Sequence, residues 1–383
     1  MRVFNRCFVV LFMAMIILPL VFIDLSSDRV SAEENRMLAE RPKITDIKKH
    51  PGKFIHDFDV WFKDSTGFRK QLLALYNVMK MYTRSGIYYK NGLFVYLVGE
   101  KGHHFFVGKN EHSIRIFQGK SILSDEQLAD MANKLEETKN YLDRKGIPFI
   151  VMFCAIKEEI YPEFYPKSIK RGPEPILLDV ITNYLREHTS VDVFNIRQAL
   201  LAEKDNYLLY PVSSGDLAHY TEIGAFFAYR ELMKHINKYF PDIVPYELND
   251  IDISYDKDER GRVIPVVSLK TKTAYKKLDM SFFDDVELIR PFTWENVAYE
   301  NADKDLPAIL FLRDSYSEFF YENRGKFLAQ FMASHFSRAI FIHYNNMKHF
   351  EEYVDKYKPD LIVFETIQPY NFWQIVADIP ELP

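Results

Sequence analysis

Two segments of the chain carry residue types that together could perform acyl transfer. Arg313-Asp314-Ser315-Tyr316 follows the apolar run Ala308–Leu312, which sets a hydroxyl at a strand-to-helix turn. Ser214-Gly215-Asp216-Leu217-Ala218-His219-Tyr220 holds a carboxylate and an imidazole three positions apart, just ahead of a helical stretch that starts near Glu222. A hydroxyl nucleophile needs a base, and the base needs an orienting carboxylate. Ser315, His219 and Asp216 supply one of each. At the start of a helix the backbone N–H of the serine can also face a developing oxyanion. Each segment has a plainer reading beside this one. Asp314, Ser315 and Asp216 are all of the types that cap helices, and an isolated histidine such as His219 commonly packs in a core.

The remaining candidates carry less. His103-His104 and the His343/His349 pair have no carboxylate or cysteine at metal-ligand spacing, so packing or surface roles are expected and no metal is. Glu158-Glu159 and Asp284-Asp285 read as solvated charge, because such side chains are seldom buried. Neither G-x-x-x-x-G-K-[ST] nor G-x-G-x-x-G occurs, which argues against nucleotide chemistry and against a bound cofactor. Cys154, alone outside the N-terminal segment that holds Cys7, reads as a small buried side chain at the end of an apolar strand.

The elements around the two segments alternate. A helix capped by Ser124 or Asp125 runs to about Arg144 and stops at Gly146; Ile147–Phe153 is then a continuous apolar strand. A helix near 175–188, a strand at 191–194 and a helix at 222–239 follow. Strands at 308–312, 339–343 and 361–365 complete the series, with helices after the first two. Residues 245–305 are charged, β-leaning and without helical period, and are expected to form a β-rich insertion. Helical periodicity also covers 53–82, interrupted at Gly67, and glycines at 92, 99, 102 and 108 punctuate hairpin-like runs. Such alternation predicts an α/β fold, an open and mostly parallel sheet with helices on both faces. Active sites of open α/β sheets lie beyond the carboxyl ends of the strands, where Asp314-Ser315 falls.

Composition bounds the setting. The chain has 383 residues, 48% hydrophobic and 15% aromatic, enough for one large core and too apolar for general disorder. A net charge of −5 supplies no basic field for nucleic acid. Arg2 and Arg6 precede the apolar run Cys7–Ile23, so residues 1–24 read as a signal peptide or as an uncleaved signal anchor. Residues 25–50 then read as a tether and 51–375 as the catalytic domain. Both readings of the N-terminus put the bulk of the protein on the extracytoplasmic side, anchored or secreted.

With these residues in place, the chain resembles the AlgX/AlgJ family of SGNH hydrolase-like exopolysaccharide O-acetyltransferases. Glu34-Asn35-Arg36-Met37-Leu38-Ala39 with Pro42, Trp61-Phe62-Lys63-Asp64 with Gly67-Phe68-Arg69, and Val98-Gly99-Glu100-Lys101-Gly102 with Phe105-Phe106 are similar to its N-terminal motifs. Lys157-Glu-Glu-Ile-Tyr161-Pro162-Glu163 is similar to the motif after its first sheet strand, and Lys358-Pro359-Asp360 with Glu365 to its closing strand. His219-Tyr-Thr-Glu-Ile-Gly224-Ala225 resembles the stretch that carries the family's histidine, and Asp314-Ser315-Tyr316 its nucleophile motif. Two departures stand out. His103-His104 replaces a usual Trp-Leu, and Asp216 lies three residues before His219 where Asp-x-His is common. The resemblance implies an SGNH-hydrolase-like, flavodoxin-like fold and a Ser315–His219–Asp216 acyl-enzyme. It further implies a polysaccharide acceptor and an acetyl donor delivered by a membrane O-acyltransferase. A carbohydrate or lipid esterase with the same triad, and a catalytically silent scaffold or polysaccharide-binding subunit of an export complex, remain the alternatives.

Overall fold

The computed structural model describes residues 9, 12–14, 17–24, 30–31, 36–68, 71, 87–90, 94–107, 112–120, 123–213, 218–257, 263–270, 275–278, 296–301, 305–317, 328–367 and 372–383. The chain divides into two compact units, Met1–Val98 and Gly99–Pro383.

In the first unit residues 17–21 are helical. Strands β1 (Val30–Ser31) and β2 (Arg36–Met37) pair antiparallel. A one-turn helix α1 (Asp46–Lys49) leads into α2 (Pro51–Ser65). Proline suits the first turn of α2, where a backbone N–H would have no intrahelical acceptor. Trp61 is buried beneath the Arg41 guanidinium, 5.6 Å from the ring centroid, and Asp64 accepts a bond of 2.9 Å from the Ala39 N–H. The periodicity over 53–82 is broken after Ser65 for a steric reason. Gly67 donates its N–H to the Pro19 carbonyl at 3.0 Å, and a Cβ there would stand 2.5 Å from the Phe22 carbonyl oxygen. Residues 69–70 and 72–86 of that stretch lie outside the described residues. β3 (Ile87–Lys90) and β4 (Phe94–Val98) form an antiparallel hairpin.

The second unit is built on a seven-stranded sheet in which β10 (Tyr275–Leu278) and β11 (Val297–Asn301) lead the order β10-β11-β13-β12-β14-β6-β7. Its parallel part comprises β6 (Phe149–Phe153), β7 (Asp192–Asn195), β12 (Ala308–Arg313), β13 (Arg338–His343) and β14 (Leu361–Thr366). Every residue of β6, β12 and β14 is buried, as strands covered on both faces require. The preceding segments are β5 (His104–Phe106) and α3 (His112–Phe117). The covering helices include α4 (Asp125–Arg144), α6 (Leu177–His188) and α8 (Glu222–Ile236), with shorter α5 (Lys157–Ile160) and α7 (Arg197–Glu203). Ser124 caps α4 reciprocally with Gln127, and Gly146 leaves it at φ +71°, as its sequence signals predict.

The 245–305 region divides into two parts. β8 (Ile251–Lys257) and β9 (Val263–Leu269) form a separate antiparallel hairpin, tied to the first turn of α8 by the Val267 N–H donating to Glu222 at 2.6 Å. β10 (Tyr275–Leu278) and β11 (Val297–Asn301) instead extend the main sheet antiparallel beyond β13. Ala298 and Tyr299 are buried opposite Ile340 and Ala339, so apolar pairing draws these strands into the sheet. Residues 318–327, where a helix is expected after Ser315, lie outside the described residues; α9 (Leu328–Ala333) follows them. α10 (Phe350–Tyr357) and α11 (Phe372–Ala377) complete the unit. Among the described residues no helix is long and apolar enough to cross a membrane.

Phe311 sits at the centre of the sheet, fully buried between β13 and β14. Phe311→Ala is expected to destabilise the second unit by about 3–5 kcal/mol, read as a lowered midpoint in urea denaturation.

Candidate active site

The parallel strands place the end of β12 on the edge where open α/β sheets carry their sites. After Arg313 the chain makes a single 3₁₀ turn, Ser315–Ser317. Asp314 shapes that turn: its Oδ1 accepts from the Tyr316 N–H at 2.8 Å, and its Oδ2 accepts from the Ile367 N–H just past β14. The capping role therefore falls to Asp314, and the Ser315 hydroxyl points elsewhere.

It meets His219. The Nε2 of His219 lies 2.8 Å from Ser315 Oγ, although the two residues are 96 positions apart. With the imidazole proton on Nδ1, Nε2 accepts from the serine hydroxyl, the geometry a base needs. His219 is 7% exposed, while Ser315 is partly exposed. Asp216 lies outside the described residues, as do Ser214, Gly215 and Leu217. The cap of α8 is Thr221, whose hydroxyl accepts from the Gly224 N–H at 3.3 Å, so the alternative reading of Asp216 as that cap does not apply. Gly224 is demanded by close approach, since a Cβ there would stand 2.6 Å from the Leu209 carbonyl oxygen.

Tyr316 joins the two segments. Its hydroxyl donates to the Ala218 carbonyl and its ring lies 4.9 Å from that of His219. Fully buried, it also packs edge-on to Tyr220 at 4.8 Å. The residue after the serine thus fixes the residue before the histidine.

Beneath the turn lies a buried carboxyl pair. Glu365, at the end of β14 with no exposure, accepts from the Ser317 hydroxyl at 2.9 Å, the Asp314 N–H at 3.3 Å and the Cys154 thiol at 3.4 Å. Burial, and then the neighbouring Asp314, hold its carboxyl well above the usual range. Burial raises Asp314 as well, but bonds from Glu365 and from the Tyr316 and Ile367 N–H groups oppose the rise, as does the His219 imidazole. The same burial raises the Cys154 thiol, confirming a packed rather than reactive side chain.

A second buried cluster overturns a sequence expectation. Glu158 and Glu159 are not solvated charge: they are 3% and 8% exposed, beside Lys157 at 1%. Lys157 donates to the carbonyls of His104 at 2.7 Å, Val212 at 3.1 Å and Pro211, and burial pushes its ammonium down to about 7. Glu159 closes its own turn by accepting from the Ile156 N–H at 3.0 Å. Backbone groups thus offset the burial of Lys157 and Glu159. Lys157 pins residues 211–212, which run toward the segment bearing Asp216. His103 packs as expected, stacked 4.1 Å from the Phe164 ring, and burial lowers it to about 4. Asp284-Asp285 lies outside the described residues. Among the described residues no group of histidine, cysteine and acidic side chains could hold a metal. A cavity of about 380 Å³ lined by Lys145, Asp355 and Lys358 opens at the opposite, amino-terminal ends of β6 and β14.

Glu365→Ala strips the acceptor from three buried groups and is expected to cost about 2–5 kcal/mol in urea denaturation; Glu365→Gln, which keeps an acceptor, should cost under half as much. Burial pushes Glu159 up to about 8 from 4.5. Its protonation therefore stabilises the fold fully below pH 4.5, and this contribution is lost as pH rises through about 8. Glu159→Gln should accordingly gain stability relative to the native protein across that interval, measured by denaturation at pH 4.5, 6 and 8.

Comparison with known proteins follows the same lines. Residues 116–260 match the family described as SGNH hydrolase-like domain, acetyltransferase AlgX, a stretch that includes His219 and ends before Ser315. No curated protein sequence matches the chain. Among solved structures, Bacillus cereus PatB1 is similar at 12% identity and a TM-score of 0.50, over 72% of this chain and 96% of that one. The O-acetyltransferase domain of Pseudomonas putida AlgJ is similar at 13% identity and a TM-score of 0.45, over 74% of this chain and 98% of that one. Pseudomonas aeruginosa AlgX shows 14% identity and a TM-score of 0.44, over 75% of this chain and 65% of that one. The likeness to PatB1 bears out the expected fold. The chain thus has the SGNH hydrolase-like fold, and its residues 116–260 are similar to the SGNH hydrolase-like domain of the AlgX acetyltransferases.

Proposed function

We propose that the protein is an extracytoplasmic serine O-acetyltransferase acting on an exported or cell-envelope polysaccharide. The observation that carries this reading is the 2.8 Å approach of His219 Nε2 to Ser315 Oγ at the carboxyl edge of the sheet. The acetyltransferase family matched by residues 116–260 supports the choice of acyl group.

In this reading His219 takes the Ser315 proton as Oγ attacks the acetyl carbonyl carbon of the donor. The tetrahedral adduct collapses, and the leaving group departs with the proton from the imidazolium. A sugar hydroxyl then attacks the acetyl-serine carbonyl carbon, passing its proton to His219, which returns it to Ser315 Oγ as the acyl–serine bond breaks. Asp216 accepts the Nδ1–H of His219 and stabilises the imidazolium. The donor is delivered by a membrane O-acyltransferase. Residues 1–24 hold the chain at the membrane or direct its export, 25–50 act as a tether, and the catalytic domain spans 51–375. No metal or cofactor takes part in this scheme.

Incubation with an activated acetyl ester should add about 42 Da to the intact native protein, the mass of an acetyl group in an acyl-enzyme. Mass spectrometry should find no adduct on Ser315→Ala, and on His219→Ala its formation should slow by about 10²–10⁴. A native chain that stays unlabelled and turns over no ester overturns the reading. Hydrolysis undiminished by a polysaccharide acceptor would assign an esterase instead.

A further inference from the structure

The first unit leaves an apolar surface uncovered. On α2, Phe54, Phe58 and Phe62 recur every fourth residue and stack in series, with centroids 6.1 and 6.0 Å apart. At 100° per residue these rings and Ile55 share one face of about 100°. Ile55 is 67% and Phe58 43% exposed, and Ile44 and Ile47 before the helix are 73% and 45% exposed. Trp61, Asp64 and Ser65 near the end of α2 are buried.

Two further observations indicate what covers this face. The first is charge. Residues 41–53 carry Arg41, Lys43, Lys48, Lys49 and Lys53 against the single acid Asp46. Arg41, Lys43, Lys48 and Lys53 are exposed beside the apolar residues. The second is continuity. The carboxyl end of α2 is fastened to the end of the N-terminal apolar run. Asp24 donates its N–H to the Ser65 carbonyl at 2.9 Å, Gly67 donates to Pro19 at 3.0 Å, and the Phe22 and Phe68 rings meet edge-on at 5.0 Å. Within that run Ile17, Leu18, Leu20, Val21 and Phe22 are all 45% exposed or more. Fifteen residues make α2 about 22 Å long, too short to span a bilayer and well suited to lie along one.

We propose that the Ile44–Phe62 face of α1–α2 lies in the interface of a lipid bilayer, its aromatic ridge at the headgroup–acyl boundary and its basic residues on anionic headgroups. The inference rests on the membrane-anchored placement proposed above and not on the acyl-transfer chemistry. The helix then serves as a second, in-plane contact that fixes how the first unit stands on the membrane.

The test uses the full chain with Cys7→Ser, reconstituted into vesicles of phosphatidylcholine and phosphatidylglycerol. Ile55→Cys carries an environment-sensitive nitrobenzoxadiazole dye; Lys63→Cys, on the polar side of α2, carries it as the control. Both positions are exposed, so neither substitution touches the core, and Cys154 is buried from the reagent. The dye at 55 is expected to shift to the blue, brighten several-fold on vesicle binding and be quenched by brominated acyl chains, while the dye at 63 does none of these. A vesicle-bound chain whose dye at 55 behaves like that at 63 overturns the inference and assigns the face to a protein partner. A chain that stays off the vesicles overturns the anchored placement as well.

Discussion

The site depends on one buried carboxyl. Glu365 is shut away from water beside Asp314, with three donors aimed at it. The consequence is mechanical. One carboxyl at the tip of β14 holds both sides of the turn that follows β12, through the Asp314 N–H and the Ser317 hydroxyl. Asp314 in turn grips the chain past β14 through the Ile367 N–H. Two neighbouring strands are cross-tied at their ends, and Ser315 rides on the tie. The backbone turn that presents Ser315 to His219 is thereby held from both sides.

Much of this was legible in the residues. The largely apolar runs at 147–153, 308–312 and 361–365 announce strands buried on both faces, and Ser124 and Gly146 bound a helix by cap chemistry alone. Ser315 and His219 stand out because a hydroxyl after a buried strand and an imidazole before a helix are types that chemistry uses. What the sequence hides is which polar groups go inside. Glu158 and Glu159 look like surface charge until the fold buries them beside Lys157, where Glu159 accepts from the Ile156 N–H. Glu365 offered one signal, a lone acid closing an otherwise apolar strand, but its partners lie about 50 and 211 positions away and no local pattern joins them. Tyr316 likewise reads as core from its type; its tie to Ala218 exists only once the fold has brought the two segments together.

The β-leaning stretch at 245–305 shows the same limit from another side. Local period identifies strands there, but only pairing decides their sheet. β8 and β9 satisfy each other as a hairpin, whereas β11 finds a better partner in β13, where Tyr299 and Phe341 pack at 6.3 Å.

The strand order has a consequence in time. β12, which delivers Ser315, lies between β13 and β14, and both of these follow it along the chain. A nascent or translocating polypeptide that has exposed Ser315 has not yet exposed Glu365 or the strands that flank β12. Loop closure must join segments 96 residues apart before the hydroxyl meets its imidazole. The topology thus orders assembly: the turn that bears Ser315 is set only after β13 and β14 have been made.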